Sequence, residues 1–200
     1  MDRRTALRGG AATIGALAIT AVASGNLAAA TEGQHSGLLP NPATDPVPNP
    51  PFPRNLTRTE RQHLEVFDEL DFDVFTNNDW GRLGESHARN IRVHWPDGHY
   101  TDGIDKHTED LAAMFVWAPD TRIKSHFLRV AKNELTAVTG TMQGTFTRPR
   151  PDGKGGFTQP TGRKYSIAMT TVSIWNRRGT MDEEFLFWDD QNFNQQLGLT

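Results

Sequence analysis

Hydrophobic and polar residues alternate most regularly in the last quarter of the chain. Residues 163–177 and 180–189 read as two long β-strands, and Arg178-Gly179 is the short Gly-containing connection that closes a hairpin. In the second strand Met181, Glu183, Phe185, Phe187 and Asp189 fall on one face. That face carries two aromatics among carboxylates, an unusual composition for plain core.

Upstream the period changes from two to three and four. Thr57-Arg58-Thr59-Glu60 is a capping-box pattern opening a helix whose apolar side is Val66, Phe67, Leu70 and Val74, stopped by Asn77-Asn78. The spacing of Trp80, Leu83 and His87 predicts a second helix from Asp79. Residues 91–96 alternate as a strand, with Ile91, Val93 and Trp95 opposed to Arg92 and His94, and Pro96-Asp97-Gly98 turns it. A third helix, capped by Asp105, runs through Leu111, Met114, Phe115 and Trp117 to Pro119-Asp120. Residues 122–131 and 134–148 form the strands before the final hairpin, and the Gly- and Pro-rich stretch 149–159 is a loop. Helices first and a strand meander after predict an α+β fold.

The chain has 200 residues, a formal charge of −3 and no cysteine. The absence of cysteine excludes disulfides, thiolate catalysis and Cys-zinc sites. Scattered rather than striped Lys and Arg disfavour a nucleic-acid partner. Residues 1–30 have the form of an export signal: Arg3-Arg4 and Arg8, a mild apolar stretch at 11–23, and Ala28-Ala29-Ala30 as a cleavage site. The paired arginines favour the twin-arginine type, with a Sec signal as the alternative. The apolar stretch is shorter than the roughly 20 residues a bilayer requires, so no membrane span is expected in the mature form. Residues 31–55, with prolines 40, 42, 46, 48, 50, 51 and 53, read as an extended linker or strap. The domain proper is then 56–200.

Two readings of Asp189 stand. A carboxylate on an aromatic-lined, water-poor surface gains basicity suited to proton transfer. Equally, an acid just before the short apolar-periodic segment 191–197 caps a helix.

The sequence Pro160-Thr161-Gly162-Arg163, a long strand, a turn, an acid-aromatic strand ending in Asp189, and Gln196-Leu197-Gly198, together with residues 93–98 and the strand 139–148, resembles SnoaL-like polyketide and ester cyclases of the nuclear-transport-factor-2-like superfamily. The resemblance covers roughly residues 64–199. It implies a cone: a curved antiparallel sheet wrapped on N-terminal helices around a hydrophobic pocket. It also implies that an aspartate near the end of the last strand, here Asp189, is the general acid/base. The chain departs from the family in having Glu183-Glu184-Phe185 where Glu-His-Trp is common.

In such a cone Trp80, His94, Met114, Phe115, Trp117, Trp175, Phe185 and Phe187 are candidates to line a substrate pocket, each with plain core packing as its alternative. His126 is the candidate partner of Asp189, with His126 or His94 as the donor to an enolate oxygen. Among His87, His94, His99, His107 and His126 no pair has the i, i+4 spacing of a helical zinc site, so neither metal nor cofactor is expected. The expected activity is cyclase- or isomerase-like acid/base chemistry on a small hydrophobic carbonyl substrate. The alternatives are a secreted, non-catalytic carrier of a small apolar ligand, and a hydrolase or lyase drawing on Glu183 or Glu184. Apolar outward positions such as Val172 and Ile174 predict a homodimer through the outer sheet face.

Overall fold

A computed structural model describes residues 49–199 of the chain. The expected leader and most of the linker lie outside the described residues.

Helix α1 (Arg58–Glu69) begins where the capping box predicts. Thr57 Oγ1 accepts from the Glu60 N–H at 3.2 Å, and the Glu60 carboxylate accepts from the Thr57 N–H at 2.8 Å. Glu60 also accepts from the Asn133 N–H at 2.9 Å, tying the helix start to the turn between two strands of the sheet. The helix runs on into a π-helical turn, Leu70–Phe75, a local rewinding often found at functional sites. The second predicted helix is a short 3-10 helix, Trp80–Glu85. His87, expected one turn further along it, instead opens strand β1 (His87–His94).

β1 turns into the short β2 (Tyr100–Asp102), and α2 (Ile104–Trp117) follows without a side-chain cap, Asp105 lying in its first turn. Strands β3 (Arg122–Lys132) and β4 (Leu135–Thr145) form a hairpin. The loop after it holds a small pair, β5 (Arg150–Pro151) and β6 (Phe157–Thr158). The long final hairpin is β7 (Lys164–Trp175) and β8 (Met181–Phe187), and α3 (Asp190–Leu197) closes the fold. All four long strands predicted from the alternation are present, their ends displaced by at most three residues.

The main sheet has the order β2-β1-β8-β7-β4-β3 and is antiparallel except for β1 beside β8. Register shifts in β3, at Ile123/His126 and His126/Leu128, and in β8 curve it around the helices. The inner face and the helices share two apolar clusters, one around Leu64, Phe67, Leu83 and Trp175, the other around Phe75, Trp117, Phe146 and Phe193. Trp175 shows how the first is fixed. Its ring stacks on His63 with centroids 4.5 Å apart, and its Nε1–H donates to Thr136 Oγ1 at 2.9 Å. A stacked pair of this kind adds about 0.5–1.5 kcal/mol beyond area burial. Among the described residues no helix is long and apolar enough to cross a membrane.

Candidate functional site

The site is set by one extra residue in β8. Across the β7–β8 ladder Ile174 pairs with Glu183 while Trp175 pairs with Met181, so Asp182 is bulged out. A bulge reverses which face each later side chain takes. Met181 points inward as the alternation predicts, but beyond the bulge the inward residues are Glu184, Leu186 and Trp188, and Glu183, Phe185 and Phe187 lie on the outer face.

Glu184, Leu186 and Trp188 help to wall an apolar cavity of ≈ 70 Å³ between the helices and the sheet. Leu70, Phe75, Leu111, Met114 and Met169 supply much of its apolar surface, and its polar groups are Asp71, His87, His107, Asp110, Thr171 and Glu184. A few convergent polar groups in an apolar hollow is the general form of a small-molecule site.

Two buried clusters meet this cavity. In the first, His126, fully buried on β3, stands between two carboxylates: its Nδ1 is 2.7 Å from Asp68 Oδ1 and its Nε2 is 2.7 Å from Asp71 Oδ2. Both acids come from the α1–π segment, and Asp71 lines the cavity. Arg129 pairs with the other oxygen of Asp68 and donates to the Pro50 carbonyl at 2.5 Å. The Asn49 side chain accepts from the His126 backbone N–H at 2.6 Å, and Phe52 lies under the Arg129 guanidinium. The end of the proline-rich segment is thus strapped across edge strand β3, over the histidine. Burial pushes the Asp71 carboxyl above the ordinary carboxylate range, and the bond with His126 offsets only part of that. For His126 burial acts downward, but the hydrogen bonds with Asp68 and Asp71 outweigh it and its pKa is raised. Gly140 on the adjoining strand makes room for the ring, since a Cβ there would sit 2.8 Å from His126 Cδ2.

In the second cluster His87 (β1), His107 (α2) and Glu184 (β8) converge, all buried. Glu184 Oε2 lies 3.4 Å from His107 Nε2 and 3.7 Å from His87 Nε2. His87 Nδ1 faces Ser86 Oγ at 2.8 Å and the Leu83 carbonyl at 3.3 Å.

Of the candidates named from sequence, Met114 lines the cavity, and His126 reaches it through Asp71. Phe115, Trp117 and Trp175 are buried core, and Trp80 packs against Phe75 and Phe115 outside the lining. His94 and Phe185 stack with centroids 4.2 Å apart on the outer face, beside Glu183, and Phe187 is exposed. Asp189 is exposed at the N-terminus of α3, where it accepts from the Asn192 N–H at 2.9 Å. Of the two readings open for Asp189, capping is the role its contacts show, and it does not meet His126. Sequence reasoning missed Asp71 and the meeting of His87 with His107, and gave Glu184 a place only in the hydrolase or lyase alternative. The only local signal was the pair of acids in the 3-4 pattern of the first helix, at Asp68 and Asp71.

The model of the SnoaL-like polyketide cyclase family matches residues 66–197. The chain belongs to the SnoaL-like polyketide cyclase family. Solved structures agree on the fold. A candidate SnoaL-like polyketide cyclase from Jannaschia sp. CCS1 superposes with a TM-score of 0.64 at 16% identity, covering 74% of this chain and 99% of that one. IdmH of Streptomyces antibioticus, a candidate polyketide cyclase, gives 0.58 at 22% identity, covering 68% and 99%. A SnoaL-like polyketide cyclase from Agrobacterium tumefaciens gives 0.54 at 15%, covering 72% and 100%. A sequence search of curated proteins finds no match. Within the SnoaL-like frame the buried acid of the last strand is Glu184, five residues before the aspartate to which the family resemblance pointed.

Proposed function

We propose that this SnoaL-like chain performs acid/base chemistry on a small hydrophobic carbonyl compound, as a cyclase or isomerase. The observation that supports it is the Asp71 carboxyl, buried, bound through one oxygen to His126 and facing a cavity whose surface is mostly apolar. A carboxylate deprived of water is a stronger base than one in solution. Asp71 takes the proton from a carbon next to the carbonyl, and the electron pair moves onto the carbonyl oxygen. The resulting enolate either attacks a second carbonyl carbon of the same molecule, closing a ring as the new alkoxide takes the proton back from Asp71, or regains the proton at another carbon. His126, held by Asp68, is a positioning residue that fixes the Asp71 carboxylate. The cluster of His87, His107 and Glu184 meets the substrate oxygen. The cavity volume of ≈ 70 Å³ selects a compact substrate unless the half-buried Trp95 and Trp188, which contact each other in its wall, swing outward.

The test is α-proton exchange, followed by NMR in D₂O, on a panel of small cyclic and acyclic 1,3-dicarbonyl compounds. Exchange by the wild type above the buffer rate, lost in Asp71→Asn, is the expected result. Exchange unchanged by that substitution sinks the reading.

Two further parts of the proposal concern assembly and address. A second copy of the chain covers the outer sheet face, where Leu128, Val130, Leu135 and Ile174 stand exposed near one another. Native mass spectrometry then gives twice the chain mass, reduced to the chain mass by Val130→Lys with Leu135→Lys. Export rests on Arg3-Arg4 and the apolar stretch behind them, and N-terminal sequencing of the exported protein tests it.

A further inference from the structure

Three side chains are left incomplete by their own surroundings. His87, His107 and Glu184 are each more than nine-tenths buried, and each turns one nitrogen or oxygen toward a common point, these atoms lying within 4.8 Å of one another. The two measured edges of that triangle are 3.4 Å and 3.7 Å. As hydrogen bonds they are poor. Among the described residues Glu184 Oε2 and His87 Nε2 have no hydrogen-bond partner at all. Leaving a carboxylate oxygen dry and unpaired is among the costlier arrangements in a fold, and such an atom calls for an account.

The same distances suit a bound ion. Bonds of about 2.0–2.2 Å from zinc to imidazole nitrogen and carboxylate oxygen, at tetrahedral angles, put neighbouring ligand atoms about 3.3–3.5 Å apart. The surroundings of His87 accommodate the required tautomer, since both Ser86 Oγ and the Leu83 carbonyl can accept from Nδ1–H. With the Nδ1–H donated to the Leu83 carbonyl, Nε2 keeps its lone pair and points it at Glu184. A lone pair facing a carboxylate is repulsive unless a cation stands between them.

We propose that His87, His107 and Glu184 bind one divalent transition-metal ion, with zinc as the first choice and the remaining coordination position open to the cavity. Two imidazoles and one carboxylate make a three-ligand set of the open kind, and imidazole selects such ions over magnesium or calcium. The ion would polarise a carbonyl oxygen in the cavity that Asp71 lines. That catalytic part rests on the function proposed above, whereas the binding itself does not.

The experiment uses the full mature chain, cleared with EDTA, dialysed and titrated with CoCl₂ and then ZnCl₂. Expected are one Co²⁺ per chain, the intense visible bands of low-coordinate cobalt, and their loss on zinc addition. Glu184→Gln and His107→Gln should each weaken zinc binding by about 100-fold or more, and Ser86→Ala, which disturbs only the support of His87, by about 10-fold. His94→Gln, on the outer face, should leave binding unchanged. Circular dichroism checks each variant, and if the ligand variants unfold, the cobalt spectrum of the wild type and the Ser86→Ala titration decide. No stoichiometric binding by the wild type, or binding that survives both ligand substitutions, overturns the site. Stoichiometric binding with α-proton exchange indifferent to the ion keeps the site and removes its catalytic part. Exchange that persists in metal-loaded Asp71→Asn overturns the Asp71 reading and leaves the site standing.

Discussion

Asp71 Oδ2 lies 2.7 Å from His126 Nε2, and the imidazole is gripped from its other side by Asp68 at the same distance. The arrangement orients a cavity carboxyl whose pKa burial raises. Asp71→Asn should cut kcat/KM by about 100-fold or more while the circular dichroism spectrum stays native, because the amide still bonds the histidine. In the wild type kcat/KM should rise with pH as Asp71 ionises, with its midpoint above the ordinary aspartate value of about 3.9. A midpoint at or below that value would remove Asp71 as the base.

Gly140→Ala tests the seat of the histidine. The added methyl would meet His126 Cδ2 at 2.8 Å and the Ser125 carbonyl at 3.1 Å, both within a packed sheet. A loss of about 1–3 kcal/mol in urea unfolding is expected, the usual cost of overpacking. Turnover should fall further than stability alone explains, because the Asp71–His126 bond is displaced.

Glu60 governs acid stability. Backbone N–H groups of Asn133 and Thr57 hold its pKa down to about 2, against about 4.3 in an unfolded chain. A depressed folded value means its contribution is complete above pH 4.5 or so and is lost as pH falls through 2. Glu60→Gln should therefore lower the melting temperature at neutral pH and flatten its decline between about pH 4.5 and 2. Parallel melting curves for the two proteins across that window would contradict the assignment.

Asp189→Ala separates capping from chemistry. Loss of the hydrogen bond to the Asn192 N–H should cost about 1 kcal/mol of stability. Activity should stay within about twofold of the wild type at a temperature where both are folded. A hundredfold loss would restore Asp189 to the mechanism.

The framework was readable from residue pattern because it rests on local rules. Thr57 and Glu60 announce α1, Arg178-Gly179 announces the last hairpin, and the alternation locates strands β3, β4, β7 and β8 along the chain. The family resemblance supplied the cone and the existence of a pocket. The wall of that pocket was not readable, because it depends on contacts between distant segments. His87 fits the helical spacing from Trp80, yet the chain leaves its 3-10 turn at Glu85 and β1 begins at His87. His107 reaches His87 only when α2 packs on β1. The partner of His126 was sought at Asp189, past the end of β8, whereas its contacts are Asp68 on α1 and Asp71 on the π turn that extends it. The outer aromatics Phe185 and Phe187 were expected inside because nothing in the spelling of residues 181–189 marks Asp182 as surplus to the ladder.

That surplus residue makes β8 a sentence with a movable frame. Removing Asp182 would straighten the ladder and leave the faces as they are, with Met181 and Glu184 inward at a spacing of two, whereas drawing Asp182 into the ladder would turn Phe185 and Phe187 to the cavity and Glu184 to the solvent. A protein could thus trade an acidic wall for an aromatic one by a slip of one position against β7, without altering any residue that forms either wall.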